Sequence, residues 1–357
     1  MTDWLESAEA ISAVDDILAN VGLAHGNRRT RTGAWKDGER VKMPRFPDTA
    51  RTKRKARTPG VVIPPAFENL KWLRAGFSTR QGGASTAYGD GDLNLGWTRE
   101  DDAATVAKNR KRFVQAVTDK SDFELVAMRQ FHSGMIRIVE KDHGPLATPD
   151  GKAILRGDGL MTDIPGTLLG VQTADCIPVL IVDKRTHAVA AFHAGWRGTL
   201  ARIVERGIGT MQLRYGSRPQ DLLAAVGPGI GACCYAVGEE VRFDFESQFA
   251  YAPALFSEVY DSDPIREKYP LLFMTARAPG HSNIGPQIHI DLWEANRRQL
   301  LDAGVPAKNI SVVAECTGCA REKNGDRRYF SHRKEHGYTG RMMAVVGVAK
   351  SPGMKHS

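Results

Sequence analysis

The chain has 357 residues, 42% of them hydrophobic and 25% charged, with a formal net charge of +8. This is the composition of a soluble globular protein with one large core or two ordinary ones, and no apolar run approaches the roughly 18 residues of a membrane span. Five cysteines spread over such a length argue against a disulfide framework, and the first residues lack the basic start and apolar stretch of a secretory signal, so a reducing cytoplasm is expected.

In chain order, residues 1–24 carry Trp4, Leu5, Ala8, Ile11, Val14, Ile17 and Leu18 at helical spacing and predict one short helix. Residues 25–60 are rich in Arg, Lys, Thr and Pro and poor in large apolar residues, which predicts a disordered basic linker. Between Asn27 and Arg57 stand twelve Lys/Arg and three Asp/Glu, so the rest of the chain is close to neutral. The basic character belongs to this stretch and excludes a globally basic nucleic-acid binder. Its plain reading is a solvated tail; contact of residues 28–57 with nucleic acid, a membrane surface or a partner is the weaker alternative.

A single main domain is expected over residues 61–350. Residues 98–117 predict a helix, with Thr98 and Asp101 as a capping box and Val106, Arg110, Phe113 and Val117 giving the period. Residues 168–172, 178–182 and 188–192 predict strands. Residues 199–215 and 288–301 predict helices, and residues 338–348 a closing strand. Strands and helices mix without a strict β-α-β rhythm, which favours mixed α+β layers over a doubly wound parallel sheet.

The sharpest local pattern runs from Cys176 to His193. Two apolar runs flank Lys184-Arg185, a hairpin pattern with poor turn chemistry at its tip. With that dipeptide as the tip, Cys176 and His193 face each other, with Cβ atoms about 4.5–5.5 Å apart. A thiolate and an imidazole at the open end of a hairpin are two zinc ligands short of a third. His132, in Arg129-Gln-Phe-His-Ser133, is a candidate for that place, although a lone histidine in an apolar stretch is more often a core residue. Two histidines and one cysteine leave a fourth zinc position open, as a catalytic site requires. The same set also describes a blue-copper site. A multicopper oxidase, however, needs a further three-copper cluster served by paired H-x-H motifs, and ten histidines here form none. Zinc is therefore the expected metal and copper the alternative.

Other motifs are weaker. His193-Ala-Gly-Trp-Arg-Gly198 reads either as a strand-to-helix turn, with its backbone amides and Arg197 turned to an anion, or as an ordinary loop packed on Trp196. Phe77-Ser-Thr-Arg-Gln-Gly-Gly83 reads as a plain turn, or as one that holds an anion or ribose through Arg80. Gly227-Pro-Gly-Ile-Gly231 lacks the dinucleotide spacing. The adjacent Cys233 and Cys234 read as structural. Cys316-Thr-Gly-Cys319 is a lone C-x-x-C without the second pair of a zinc ribbon or the context of a redox motif. Ser331, His332 and Arg333 are polar residues suited to a pocket wall. Asp175, beside Cys176, reads as a cap or turn residue.

Taken in order, Phe77-Ser-Thr-Arg-Gln-Gly-Gly83, Leu93-Asn-Leu-Gly96, Arg129-Gln-Phe-His132, Gly157-Asp-Gly159, Thr173-Ala-Asp-Cys-Ile-Pro178, His193-Ala-Gly-Trp-Arg-Gly198, Gly227-Pro-Gly-Ile-Gly231 and Phe330-Ser-His-Arg333 resemble the laccase-domain or polyphenol oxidase proteins. That family is also described as purine nucleoside phosphorylases and peptidoglycan editing factors. The resemblance covers about residues 61–348. It implies a cytoplasmic enzyme with a layered α/β/β/α sandwich like the catalytic domain of cytotoxic necrotizing factor, and zinc on His132, Cys176 and His193. It implies phosphorolysis of adenosine, inosine and 5′-methylthioadenosine, with adenosine deamination as a further activity. Arg80, Asn94 and Arg197 match family pocket positions, and Gln130 is assigned with Ser331, His332 and Arg333 to substrate binding. Asp175 is the candidate proton carrier, and Arg80 and Arg197 the candidate phosphate ligands. Ala236 and Gly229 depart from the family, where many members have Glu and Cys. A copper polyphenol oxidase and a peptidoglycan-precursor editing factor are the alternative functions. The pattern gives no oligomeric state.

Overall fold

Two predominantly apolar runs, Ile177–Asp183 (β8) and Val189–Ala194 (β9), form the centre of the fold. Every residue in them is buried, as expected for strands covered on both faces. The computed structural model describes residues 58–119, 122–259 and 287–350. The expected helix over 1–24 and all but the last residues of the expected 25–60 linker lie outside the described residues.

The strands form two large mixed sheets and a small one. The first sheet has five strands: Val61–Val62 (β1), Leu73–Ser78 (β2), Met342–Val348 (β15), Thr167–Thr173 (β7) and Glu124–Ala127 (β4), in that spatial order. The second has six: Ile310–Val312 (β14), Leu222–Val226 (β10), β8, β9, Gly159–Thr162 (β6) and Ile136–Ile138 (β5). A three-stranded sheet places Gln287–Ile290 (β13) between Ala236–Val237 (β11) and Phe256–Val259 (β12). The short strand Gln81–Ser85 (β3) follows β2. Among the described residues the α-helices are Ala103–Thr118 (α1), Trp196–Leu200 (α2), Ile203–Tyr215 (α3), Glu239–Gln248 (α4) and Leu292–Asp302 (α5).

Alternation along the strands shows how the layers stack. Leu180 and Val182 of β8 and Val189 and Ala191 of β9 pack with Leu169 and Val171 of β7 and Ala344 and Val346 of β15, so the two large sheets lie face to face. The intervening residues Ile177, Val179, Ala190 and Phe192 face the opposite way, onto Ile203, Val204, Ile208 and Met211 of α3 and Leu292 of α5. On the outer face of the first sheet, Leu168, Met343 and Val345 meet Phe113 of α1. The order is helix, sheet, sheet, helix. Each of these large apolar side chains contributes roughly 1.5–3 kcal/mol by leaving water.

Several predicted boundaries move. The α1 cap is Asp102, whose carboxylate accepts the Thr105 amide, while Thr98 instead accepts the Tyr88 hydroxyl. The expected helix over 199–215 is two helices, broken where Arg202 takes a left-handed backbone (φ 55°). The expected helix over 288–301 begins later, because Ile288 and Ile290 belong to β13 and Asp291 caps α5 through the Glu294 amide. The closing strand begins at Met342 rather than at residue 338.

Strand direction decides where the chemistry gathers. β5 and β6 are parallel, β9 is antiparallel to both β6 and β8, and β10 is antiparallel to β8 and parallel to β14. The starts of β5, β6 and β8 and the ends of β9, β10 and β14 therefore share one edge of the six-stranded sheet. His132, Asp158, Cys176, His193, the 227–235 loop and the 313–320 segment all lie at that edge.

Candidate metal centre and its pocket

The β8–β9 hairpin joins Cys176 and His193 in a different register from the one a Lys184-Arg185 tip predicts. Pro178 pairs with His193 and Ile177 with Ala194, which sets Cys176 across from Gly195. The turn has four residues, 184–187. The Asp183 carboxylate accepts the Arg185 and Thr186 amides at 2.7 and 3.1 Å, and His187 takes a left-handed backbone (φ 61°). The offset is two residues. Because side chains alternate with period two, Cys176 and His193 remain on one face as diagonal neighbours. Gly195 is needed for this approach, since a Cβ there would stand 2.7 Å from the Cys176 sulfur.

His132 arrives on the loop ahead of β5, in a left-handed backbone (φ 62°). Its ring stands edge-on to that of His193, with centroids 5.0 Å apart. The donor atoms of His132, Cys176 and His193 all lie within 4.8 Å of one another.

Asp158, between Gly157 and Gly159, organises this group. It is fully buried at the start of β6. Its carboxylate accepts the His132 amide at 3.0 Å, the Ser133 amide and hydroxyl at 2.7 Å each, and Nδ1 of His193 at 2.8 Å. Its carbonyl accepts the His193 amide at 2.7 Å. One aspartate thus bends the His132 loop and fixes the His193 ring, leaving Nε2 of His193 for other partners. A metal-binding histidine is commonly held by a carboxylate in this way. Sequence reading gave Asp158 no role; an acid between two glycines ahead of an apolar strand was the available signal.

The electrostatics form one system. Burial opposes charge on Asp158, but His193 and Ser133 hold its carboxyl down at about 2. Burial opposes a thiolate at Cys176, yet the His193 and His132 imidazoles bring it down to about 6. Burial opposes a protonated His193, and the Cys176 thiolate and Asp158 carboxylate push it up to about 9. The cause is shared: a sulfur that favours its anion faces an imidazole backed by a carboxylate.

These residues open onto a cavity of about 920 Å³. Of the other residues singled out from sequence, Asp175, Gln130, Arg197, His332 and Arg333 line it, together with Trp196 and Tyr235. Arg197 is exposed, with its guanidinium over the Trp196 ring at 4.2 Å, and among the described residues no carboxylate pairs with it. Arg333 lies over the Tyr235 ring at 5.0 Å. The Gln130 amide is committed to the backbone of Gln172, donating at 2.8 Å and accepting at 2.7 Å. Asp175 has a left-handed backbone (φ 97°). Its carboxylate accepts the Thr317 hydroxyl at 2.6 Å and the Arg333 amide at 2.7 Å, so it also ties the loops of this wall together.

Three expected pocket residues lie off the cavity lining. Arg80 is buried, bonding Asp92 through Nε, Glu335 through Nη1 at 2.6 Å and the Tyr88 carbonyl through Nη2 at 2.8 Å. Its donors are taken up by an internal ion-pair network that anchors the 331–339 turn. Asn94 is buried between Asp101, Gly96 and the Arg341 amide. Ser331 is fully buried and accepts the Lys334 amide.

With this geometry in place, the comparisons with known proteins are specific. A family profile described as multi-copper polyphenol oxidoreductase laccase matches residues 74–349. The chain belongs to that family. Among its relatives in this laccase family, a purine nucleoside phosphorylase YlmD of Geobacillus stearothermophilus is 35% identical over 286 residues, covering 77% of this chain and 94% of the relative. An adenosine deaminase RL5 from an unknown prokaryotic organism is 33% identical over 244 residues, covering 68% and 84%. The crystal structure of YlmD from Geobacillus stearothermophilus superposes with a TM-score of 0.64 at 33% identity, covering 84% of this chain and 98% of that one.

Proposed function

We propose that this chain is a cytoplasmic, zinc-dependent purine nucleoside phosphorylase acting on adenosine, inosine and 5′-methylthioadenosine, with adenosine deamination as a further activity of the same pocket. The observation that carries the reading is the convergence of His132, Cys176 and His193 on the wall of a cavity large enough for a nucleoside. Relatives named purine nucleoside phosphorylase and adenosine deaminase support it.

The residues fit zinc: imidazole and thiolate are both zinc donors, three protein ligands leave a fourth position open, and Asp158 holds His193 as a supporting carboxylate does. Bound zinc supplies Lewis acidity and activates water at neutral pH. Copper in a multicopper arrangement fits less well. Among the described residues the other group of three or more metal-capable donors consists of four cysteines, so no histidine-rich cluster for further copper accompanies this site.

In phosphorolysis, a phosphate oxygen bonds to C1′ of the ribose as the bond from C1′ to the purine nitrogen breaks; the purine keeps the electron pair and takes up a proton. Arg197, on the cavity wall and without a carboxylate partner among the described residues, holds the phosphate, with Arg333 beside it. Asp175 positions the Arg333 backbone and stands next to Cys176 as the proton carrier. In deamination, water adds at purine C6 and ammonia leaves. The aromatic rings of Trp196 and Tyr235 offer apolar surface for the base.

The test is to incubate purified protein with adenosine or inosine and phosphate, and with adenosine alone. Free base with ribose 1-phosphate, and inosine with ammonia, are expected from the wild type and absent from Cys176→Ala. Absence of all these products from the wild type, or equal yields from the variant, overturns the reading.

A further inference from the structure

Four cysteines play no part in the pocket chemistry. In sequence they form two unremarkable pairs, Cys233-Cys234 and Cys316-Thr-Gly-Cys319. In the fold their four sulfurs all lie within 4.8 Å of one another. The sulfurs of Cys233 and Cys319 are 3.6 Å apart, and all four residues are free thiols. The cause is topological. β10 and β14 run parallel as neighbours, so the segments that follow them leave the sheet side by side at the same edge.

Local backbone geometry completes the arrangement. The Thr317 amide donates to the Gly229 carbonyl at 2.9 Å, stitching the two segments together. The 231–234 turn closes with the Cys234 amide on the Gly231 carbonyl at 2.9 Å, and the 316–320 turn with the Ala320 amide on the Cys316 carbonyl at 2.8 Å. The Cys316 sulfur accepts the Gly231 amide at 3.3 Å. Gly318 is needed here, since a Cβ would stand 3.0 Å from the Cys234 sulfur. Amide hydrogen bonds to sulfur are the outer support that thiolate ligands receive in metal sites.

Four thiols crowded this closely cannot all ionise without a cation between them. Tetrahedral zinc at about 2.3 Å from each sulfur sets neighbouring sulfurs about 3.8 Å apart, a spacing this cluster accommodates. A tetrahedral set of four thiolates with no other donor is a closed site, suited to structural zinc.

We propose that Cys233, Cys234, Cys316 and Cys319 bind a second zinc ion, structural in role, that pins the 227–235 loop to the 313–320 segment. These segments hold the wall of the pocket. The Ile230 amide donates to the Asp175 carbonyl at 2.7 Å and the Thr317 hydroxyl to the Asp175 carboxylate at 2.6 Å, and Tyr235 lines the cavity. The ion fixes the residue beside Cys176 without touching substrate.

The test uses full-length protein purified under reducing conditions without added metal, with zinc counted per chain. Cys176→Ala, which disables the other site, is expected to keep one zinc per chain, and Cys176→Ala with Cys319→Ser to keep none. Cys319 is exposed, so its replacement leaves the core intact. As a second readout, Cys176→Ala loaded with cobalt(II) alone is expected to show the intense thiolate absorption of tetrahedral cobalt. A Cys176→Ala protein without zinc and without that cobalt spectrum overturns the proposal, as does a mass two hydrogens low that marks a disulfide among the four. These readouts do not depend on nucleoside turnover. A wild type that is inactive toward nucleosides while Cys176→Ala keeps its zinc would sink the phosphorylase reading and leave this site standing.

Discussion

At one edge of the six-stranded sheet the chain builds two groups of metal-capable donors from different materials. His132, Cys176 and His193 sit on or beside strands β5, β8 and β9, mix nitrogen with sulfur, and open onto a large cavity. Cys233, Cys234, Cys316 and Cys319 sit on two loops, offer sulfur alone, and face one another. The first group has three donors and room for a fourth partner from outside. The second has four donors and needs none. An open set is suited to chemistry and a closed set to holding structure. In the first group strand register places Cys176 and His193 and the Asp158 carboxylate holds the His132 loop, whereas in the second the donors come from turns, where a backbone amide supports the Cys316 sulfur.

Five substitutions test that contrast. Cys176→Ala has the largest effect: nucleoside phosphorolysis falls to background with the fold intact by circular dichroism. Cys319→Ser, by contrast, leaves measurable turnover with a lower thermal midpoint; equal losses in the two variants would erase the distinction. Asp158→Asn comes next. Removing the charge behind His193 is expected to cost about 10–100-fold in metal affinity or turnover, as loss of a supporting carboxylate does elsewhere; zinc competition against a chelator measures it. Arg197→Ala follows, at about 1.5 kcal/mol or roughly tenfold in kcat/KM for phosphate, the lower range for a charge-assisted hydrogen bond. Adenosine deamination, which uses no phosphate, serves as the unchanged control. The smallest effect is that of Asp291→Ala, which removes the α5 cap, a carboxylate bonded to the Glu294 amide and to none of the metal-capable donors. It is expected to lower stability by about 1 kcal/mol in urea denaturation with kcat unchanged.

The sequence made the strands easier to read than the helix ends. β7, β8, β9 and β15 are apolar runs buried on both faces, and such runs announce themselves. Helix boundaries shifted where side chains chose other partners: Asp102 in place of Thr98 at α1, Asp291 at α5, and a left-handed Arg202 between α2 and α3. The β8–β9 register differs from the two-residue turn prediction because Asp183 folds a four-residue turn under its carboxylate. The pairing of Cys176 with His193 survives because the offset is even; an odd offset would have turned them to opposite faces. Asp158 lay hidden because its role depends on two segments far apart in sequence, the His132 loop and the end of β9. The cysteine quartet was invisible for the same kind of reason: nothing local in Cys233-Cys234 foretells that β14 will run parallel beside β10. Arg80 illustrates the converse. A glycine-rich turn made it look like an anion ligand, while Asp92 and Glu335, 12 and 255 residues away, occupy its donors.

The most direct test of the central claim is zinc add-back. Protein stripped by a chelator and assayed for inosine phosphorolysis is expected to be inactive, to regain activity as zinc is restored, and to stay inactive at every zinc level when Cys176 is replaced by Ala. Full activity in the stripped wild type, or recovery of the Cys176→Ala variant on zinc addition, would contradict it.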